Sequence, residues 1–80
     1  MNTLMTRAAI IDRYGLRLNI DQLSQVLGLR PQTVYNLIAK GELPIRTYRE
    51  GSRRYASYEA VAEYLDGMDE LAKTKDAPPS

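Results

Sequence analysis

Between Asp21 and Gly41 the chain sets two short apolar faces of helical spacing on either side of one glycine, and few folds accept that arrangement. In the run DQLSQVLGLRPQTVYNLIAKG, Leu23, Val26 and Leu27 fall at i, i+3 and i+4, which on a helix gathers them into one stripe. Gly28 follows. Glycine enters the left-handed backbone region without a Cβ clash and so ends helices. Leu29 is then expected to enter the core. Pro31 takes a first helical position, where its missing N–H has no helical partner to lose. Val34, Leu37 and Ile38 form a second stripe, and Gly41 ends it. Two short helices joined by a tight turn bury such stripes together as a helix-turn-helix.

The flanking segments frame this unit. Thr6 to Tyr14 reads as a helix, with Thr6 as N-cap and Gly15 as its stop. Leu16, Leu18 and Ile20 alternate with Arg17 and Asn19, which fits either a brief strand or an extended linker. Arg46–Arg49 and Arg53–Ala56 flank Glu50–Gly51–Ser52, two β-compatible segments around a glycine-containing turn, and read as a hairpin. Ser57 is placed to cap a last helix with Glu59 in its first turn. Along that helix Val61, Tyr64, Leu65, Met68 and Leu71 recur at helical spacing, so one face is expected to dock. The expected fold is mainly α with a small β-hairpin, a winged helix-turn-helix. One domain spans 1–75: N-terminal helix 6–14, helix-turn-helix 20–40, wing 45–56 and C-terminal helix 58–72. Residues 76–80, with two prolines, are expected to form a disordered tail.

An 80-residue chain has room for one modest core. It holds no cysteine and no histidine, which removes disulfides, thiolate metal sites, the commonest metal ligand and the usual general base near neutral pH. No glycine-rich phosphate loop is present. The sequence therefore points away from an enzyme, and no cofactor or metal is expected. No apolar run is long enough to span a bilayer or to form a secretory signal, so no membrane partner is expected and the expected location is cytoplasmic.

The net charge of +1 conceals an uneven distribution. Residues 30–54 carry six cations against two carboxylates, a net of +4, and the other residues carry five against eight, a net of −3. A local basic patch is the electrostatic footprint of a polyanion site; the alternative is a solvated surface of random sign. The helix that begins at Pro31 separates these readings. At about 100° per residue, with Val34 at zero, Leu37 and Ile38 lie within about 60° of it, and Gln32 and Asn36 fall nearly opposite. Amide side chains match the paired donor and acceptor of adenine in the major groove. Thr33, Tyr35 and Lys40 lie on the flanks, placed for phosphates that orient a helix without specifying sequence. An isolated amphipathic helix carries such polar residues merely as a wet face. Here a basic hairpin follows directly. Arg46, Arg49, Arg53 and Arg54 project from it with Ser52 near its tip, and arginines on a thin ribbon suit backbone contact and entry into a narrow minor groove. The alternative for these arginines is an edge strand kept soluble by charge. Tyr55 is expected to pack the wing onto the body, and Tyr48 is left open.

The run LNIDQLSQVLGLRPQTVYNLIAKGELP, then REGSRRYAS, then YEAVAEYL, resembles the winged helix-turn-helix of excisionase-type and MerR-like DNA-binding proteins, over Leu18 to Leu65. The resemblance implies sequence-specific binding to double-stranded DNA through Arg30, Gln32, Thr33, Tyr35, Asn36, Lys40, Arg46, Arg49, Ser52, Arg53 and Arg54. It further implies a phage or mobile-element excisionase, an architectural factor that bends DNA and directs an integrase towards excision while also regulating nearby promoters in a bacterial cell, associated with the nucleoid. A dedicated small transcriptional regulator shares every motif. The family usually caps the recognition helix with serine; this chain has Arg30 followed by Pro31, which puts the capping contact in doubt and sets a cation where a phosphate would lie. Self-association or cooperative binding on DNA is expected, through the N-terminal or the last helix. From a different class, a protein-interaction module could use the same fold, with the acidic last helix (Glu59, Glu63, Asp66, Asp69, Glu70) docking a basic partner.

Overall fold

Asn19 starts the helix-turn-helix. Its side chain accepts the backbone N–H of Gln22 at 2.8 Å, and the Gln22 side chain accepts the N–H of Asn19 at 3.0 Å. This reciprocal capping satisfies two otherwise unpaired donors. In the computed structural model, which describes residues 3–75 with side chains from Leu4 to Lys73, the elements run in the order α1 (Thr3–Tyr14), β1 (Arg17–Asn19), α2 (Ile20–Leu27), α3 (Pro31–Lys40), β2 (Tyr48–Glu50), β3 (Arg53–Ser57) and α4 (Tyr58–Lys75). The architecture is mainly helical with a small antiparallel sheet, a winged helix-turn-helix. The expected tail at 76–80 lies outside the described residues.

Gly28 holds φ +69° between α2 and α3, and the Leu29 N–H reaches back to the Ser24 carbonyl at 3.0 Å. That left-handed turn reverses the chain within a few residues and sets α3 across α2. Leu29 departs from expectation. It is 39% exposed, because the turn spends its backbone on closing α2 and leaves the side chain at the rim. α3 opens on Arg30, whose side chain makes no capping hydrogen bond; proline at the next position leaves the helix start with one unpaired N–H fewer.

The core gathers one to three residues from every element except β2. Leu18, Leu23, Val34, Ala56, Val61 and Ala62 are fully buried, joined by Ile10, Ile20, Ile45 and Ala60. Val26, Leu27 and Ile38 pack against this cluster from one side. The expected stripes of both helices thus meet, with Leu37 only half-buried.

One alternative of the sequence reading is decided, and two further features differ from it. The segment around Leu18, left open between strand and linker, is a strand. It pairs antiparallel with β3, Leu18 opposite Ala56, so the hairpin is two-thirds of a sheet ordered β1-β3-β2. Thr6 does not cap α1. The helix begins at Thr3 and Thr6 is buried inside it, donating from Oγ1 to Asp66 Oδ1 of α4 at 2.8 Å. A hydroxyl at that depth is retained because it has a partner on the neighbouring helix. Finally, the apolar stripe of α4 is unevenly covered: Val61 is buried and Tyr64 and Leu65 are half-buried, whereas Met68 is 43% exposed and Leu71 47%. Ser57 accepts the Ala60 N–H at 3.1 Å and caps it.

Candidate nucleic-acid interface

Val34 anchors the reading of α3. With that residue fully buried, the helical period turns Gln32, Thr33, Tyr35, Asn36 and Lys40 outward, and all five are exposed, as is Arg30 at the helix start. Gln32 and Asn36 touch. Gln32 Nε2 donates to Asn36 Oδ1 at 3.1 Å, so one turn of helix carries a joined pair of amides.

The sheet register sorts the wing arginines. Along β3 the side chains alternate, so Arg54 shares a face with buried Ala56, while Arg53, Tyr55 and Ser57 take the other. Across the hairpin Arg49 stands directly opposite Arg54 and Glu50 opposite Arg53. Arg49 and Arg54 therefore lie side by side on the body-facing side of the ribbon. Arg54 is half-buried and donates to Thr47 Oγ1 at 3.0 Å. It also closes a groove of about 270 Å³ with Ile38, Gly41, Leu43, Ile45 and Arg46 at the end of α3.

A second groove, of about 220 Å³, runs between the wing and the helix-turn-helix and is lined by Asn19, Asp21, Tyr35, Ser52, Arg53 and Arg54. Four of the sequence candidates, Tyr35, Ser52, Arg53 and Arg54, are thus brought to one concave surface beside the start of α2. Arg46 is drawn elsewhere. Its guanidinium meets the Glu63 carboxylate of α4 at 2.8 and 3.4 Å, which holds Glu63 below its ordinary value and Arg46 above its own, first through the hydrogen bond and then through opposite charge. The sequence reading placed Arg46 with the free wing cations; α4 neutralises it.

Arg17 was not among the candidates, yet it organises the wing. Its guanidinium lies 3.9 Å from the centre of the Tyr55 ring and pairs with Glu50 near the hairpin tip. Its hydrogen bond to Glu50, then one to Tyr48, raises its already high pKa. Tyr48 and Tyr55 stack alongside with ring centres 6.0 Å apart. Tyr55, expected to pack the wing onto the body, instead lies on the opposite face of the sheet, where it ties the wing to β1 through Arg17, and Tyr48, 41% exposed, sits at the edge of the same cluster. Asn19, Asp21 and Thr47 also border the site without having been singled out. The alternation at Leu16–Ile20 was the available signal for Arg17 and Asn19; nothing local marked the other two.

Among the described residues no helix is long and apolar enough to cross a membrane, and no group of three or more acidic side chains is placed to hold a metal ion. A family model described as a helix-turn-helix domain matches residues 17–69, from β1 through most of α4. No curated protein and no solved structure gives a significant match.

Proposed function

This chain belongs to the helix-turn-helix domain family, and from that premise we propose that it is a sequence-specific double-stranded DNA-binding protein of the excisionase-like architectural kind. Its α3 enters the major groove, Gln32 and Asn36 meet base edges, and Thr33, Tyr35, Lys40 and Arg30 meet phosphates. The wing, through Arg49, Ser52, Arg53 and Arg54, follows the backbone into the adjacent minor groove. Helix-turn-helix domains of this family are typically non-enzymatic, and no chemical step enters the proposal.

The observation that carries the reading is the cross-strand pair of Arg49 and Arg54. Like charges directly opposite on a sheet destabilise it. Glu50, the one carboxylate in either strand, is turned to the other face. A phosphate backbone relieves that repulsion, and the pair stands beside the helix whose outward face is polar. A single recognition helix touches few base pairs, so high specificity requires two or more copies on adjacent sites. The exposed apolar side chains of α1 and α4, Met5, Ile11 and Met68, offer the contacts. An integrase is the protein partner that the architectural role calls for.

Titration of a mixed-sequence duplex at several salt concentrations tests binding itself. The expected result is log K falling linearly with log salt, by about 0.9 per phosphate contact. A flat dependence overturns DNA binding in favour of a protein-interaction module. Energy transfer between the ends of a bound cognate duplex then tests architecture. End-to-end shortening is expected; a straight duplex turns the proposal into a dedicated transcriptional regulator.

A further inference from the structure

A free carboxamide at the end of a side chain turns over easily and presents its oxygen and nitrogen in either order. Asn36 is not free. Gln32 Nε2 donates to its Oδ1 at 3.1 Å, across the i, i+4 spacing that brings such side chains together on a helix. Gln32 is in the first turn of α3, just after Pro31, and Asn36 is one turn further along, on the face opposite buried Val34. In this bond the oxygen of Asn36 lies on the side nearer the start of the helix and the NH2 on the side nearer its end. One lone pair of Oδ1 and both N–H bonds of Nδ2 stay available.

We propose that Gln32 is a positioning residue that locks the carboxamide of Asn36, so that the two amides act as one unit specifying adenine. The inference rests on the base-reading role given above to α3. Adenine offers N6–H and N7 side by side in the major groove, a donor and an acceptor that a carboxamide meets with its oxygen and its nitrogen. Guanine offers two acceptors there, thymine an acceptor beside a methyl group and cytosine a donor. A carboxamide able to turn over accommodates part of each; one locked in a single order is complementary to adenine alone and in one orientation of the base pair. In this pair the order comes from a neighbouring side chain, so specificity at the Asn36 position depends on a residue that need not touch that base.

The test uses a cognate duplex selected from a random pool by the wild-type protein, with each adenine replaced in turn by 7-deazaadenine, which lacks the N7 acceptor. Wild type should lose affinity at one adenine by about 2- to 12-fold, the value of the single hydrogen bond to N7. Asn36→Ala should remove that sensitivity and thereby identify the contacted base. Gln32→Met keeps length and helical preference but has no donor to hold the amide. With an unchanged melting midpoint, it should retain Asn36 yet show a reduced 7-deaza penalty at that base and accept other bases there more readily. A full penalty and unaltered base preference in Gln32→Met overturn the locking while leaving base reading intact. No penalty at any adenine in wild type overturns adenine reading by α3, and the locking with it.

Discussion

Arg17 on β1 and Glu50 on β2 form an ion pair that spans the intervening strand β3. The first strand of the sheet thus holds the tip of the hairpin, and the Tyr55 ring lies beneath the guanidinium. A two-stranded hairpin alone is marginal in water; here a third strand and a side-chain clasp hold it in one pose before any ligand arrives. Glu50→Ala should lower amide hydrogen-exchange protection in β2 relative to α2, and the exchanged pair Arg17→Glu with Glu50→Arg should recover part of it. Equal protection of β2 in Glu50→Ala and wild type would show that the clasp does not order the wing.

The arginines of the wing should differ in salt dependence. Arg53 is exposed and borders the groove beside Tyr35, whereas Arg46 is engaged by Glu63. Arg53→Ala should flatten the plot of log K against log salt by about 0.9 for the phosphate contact it loses, and Arg46→Ala should flatten it less. Equal slopes for Arg53→Ala and wild type would remove Arg53 from the phosphate contacts.

Acid should release Arg46. The hydrogen bond from Arg46, followed by its charge, holds the Glu63 carboxyl below its ordinary value in the folded chain. A carboxyl depressed by folding contributes stability that is complete above its unfolded value, about 4.3 for glutamate, and is lost as pH falls through the folded value. Wild type should therefore lose stability to acid over that window more steeply than Glu63→Gln. The two proteins are to be compared by denaturant midpoint between pH 6 and pH 3; parallel curves would show that the pair is energetically silent.

Gly28 makes the turn of the helix-turn-helix through its backbone alone. Its φ is +69°, and a Cβ added there meets nothing within 4 Å. Gly28→Ala should thus register only the left-handed penalty, about 1–2 kcal/mol, read as a fall in melting midpoint of about 4–8 °C per kcal/mol for a domain of this size. Gly28→Asn should fall less, since asparagine tolerates that region. Alanine and asparagine variants that melt with wild type would mean the turn is not held in this conformation.

What was legible in the sequence is what local rules govern. Leu23, Val26 and Leu27, Gly28, then Val34 and Ile38 state two helices and a turn through spacing alone, and Val34 also orients Gln32 and Asn36. Register is not local. Nothing in RLN or RRYAS says that Leu18 faces Ala56, so the alternation at Leu16–Ile20 left strand and linker both open, and neither the pairing of that strand nor the place of Arg17 over Tyr55 was visible. The same holds for long-range polar partners. Thr6 obeyed the rule for a cap until Asp66 of α4, sixty residues away, claimed its hydroxyl inside a longer helix. Arg46 read as a free cation because Glu63 is brought to it only by the docking of α4.

The central claim is that α3 is the reading head, and binding of Asn36→Ala to the selected duplex and to a random duplex, beside a melting curve, tests it most directly. Asn36 is exposed, so its loss should move stability by less than about 0.5 kcal/mol. Affinity for the selected site should fall by about 1–3 kcal/mol, the value of one bidentate base contact, while affinity for random duplex stays at the wild-type level. Wild-type affinity for both duplexes, with the fold intact, would contradict the claim and move recognition to the wing or to DNA shape.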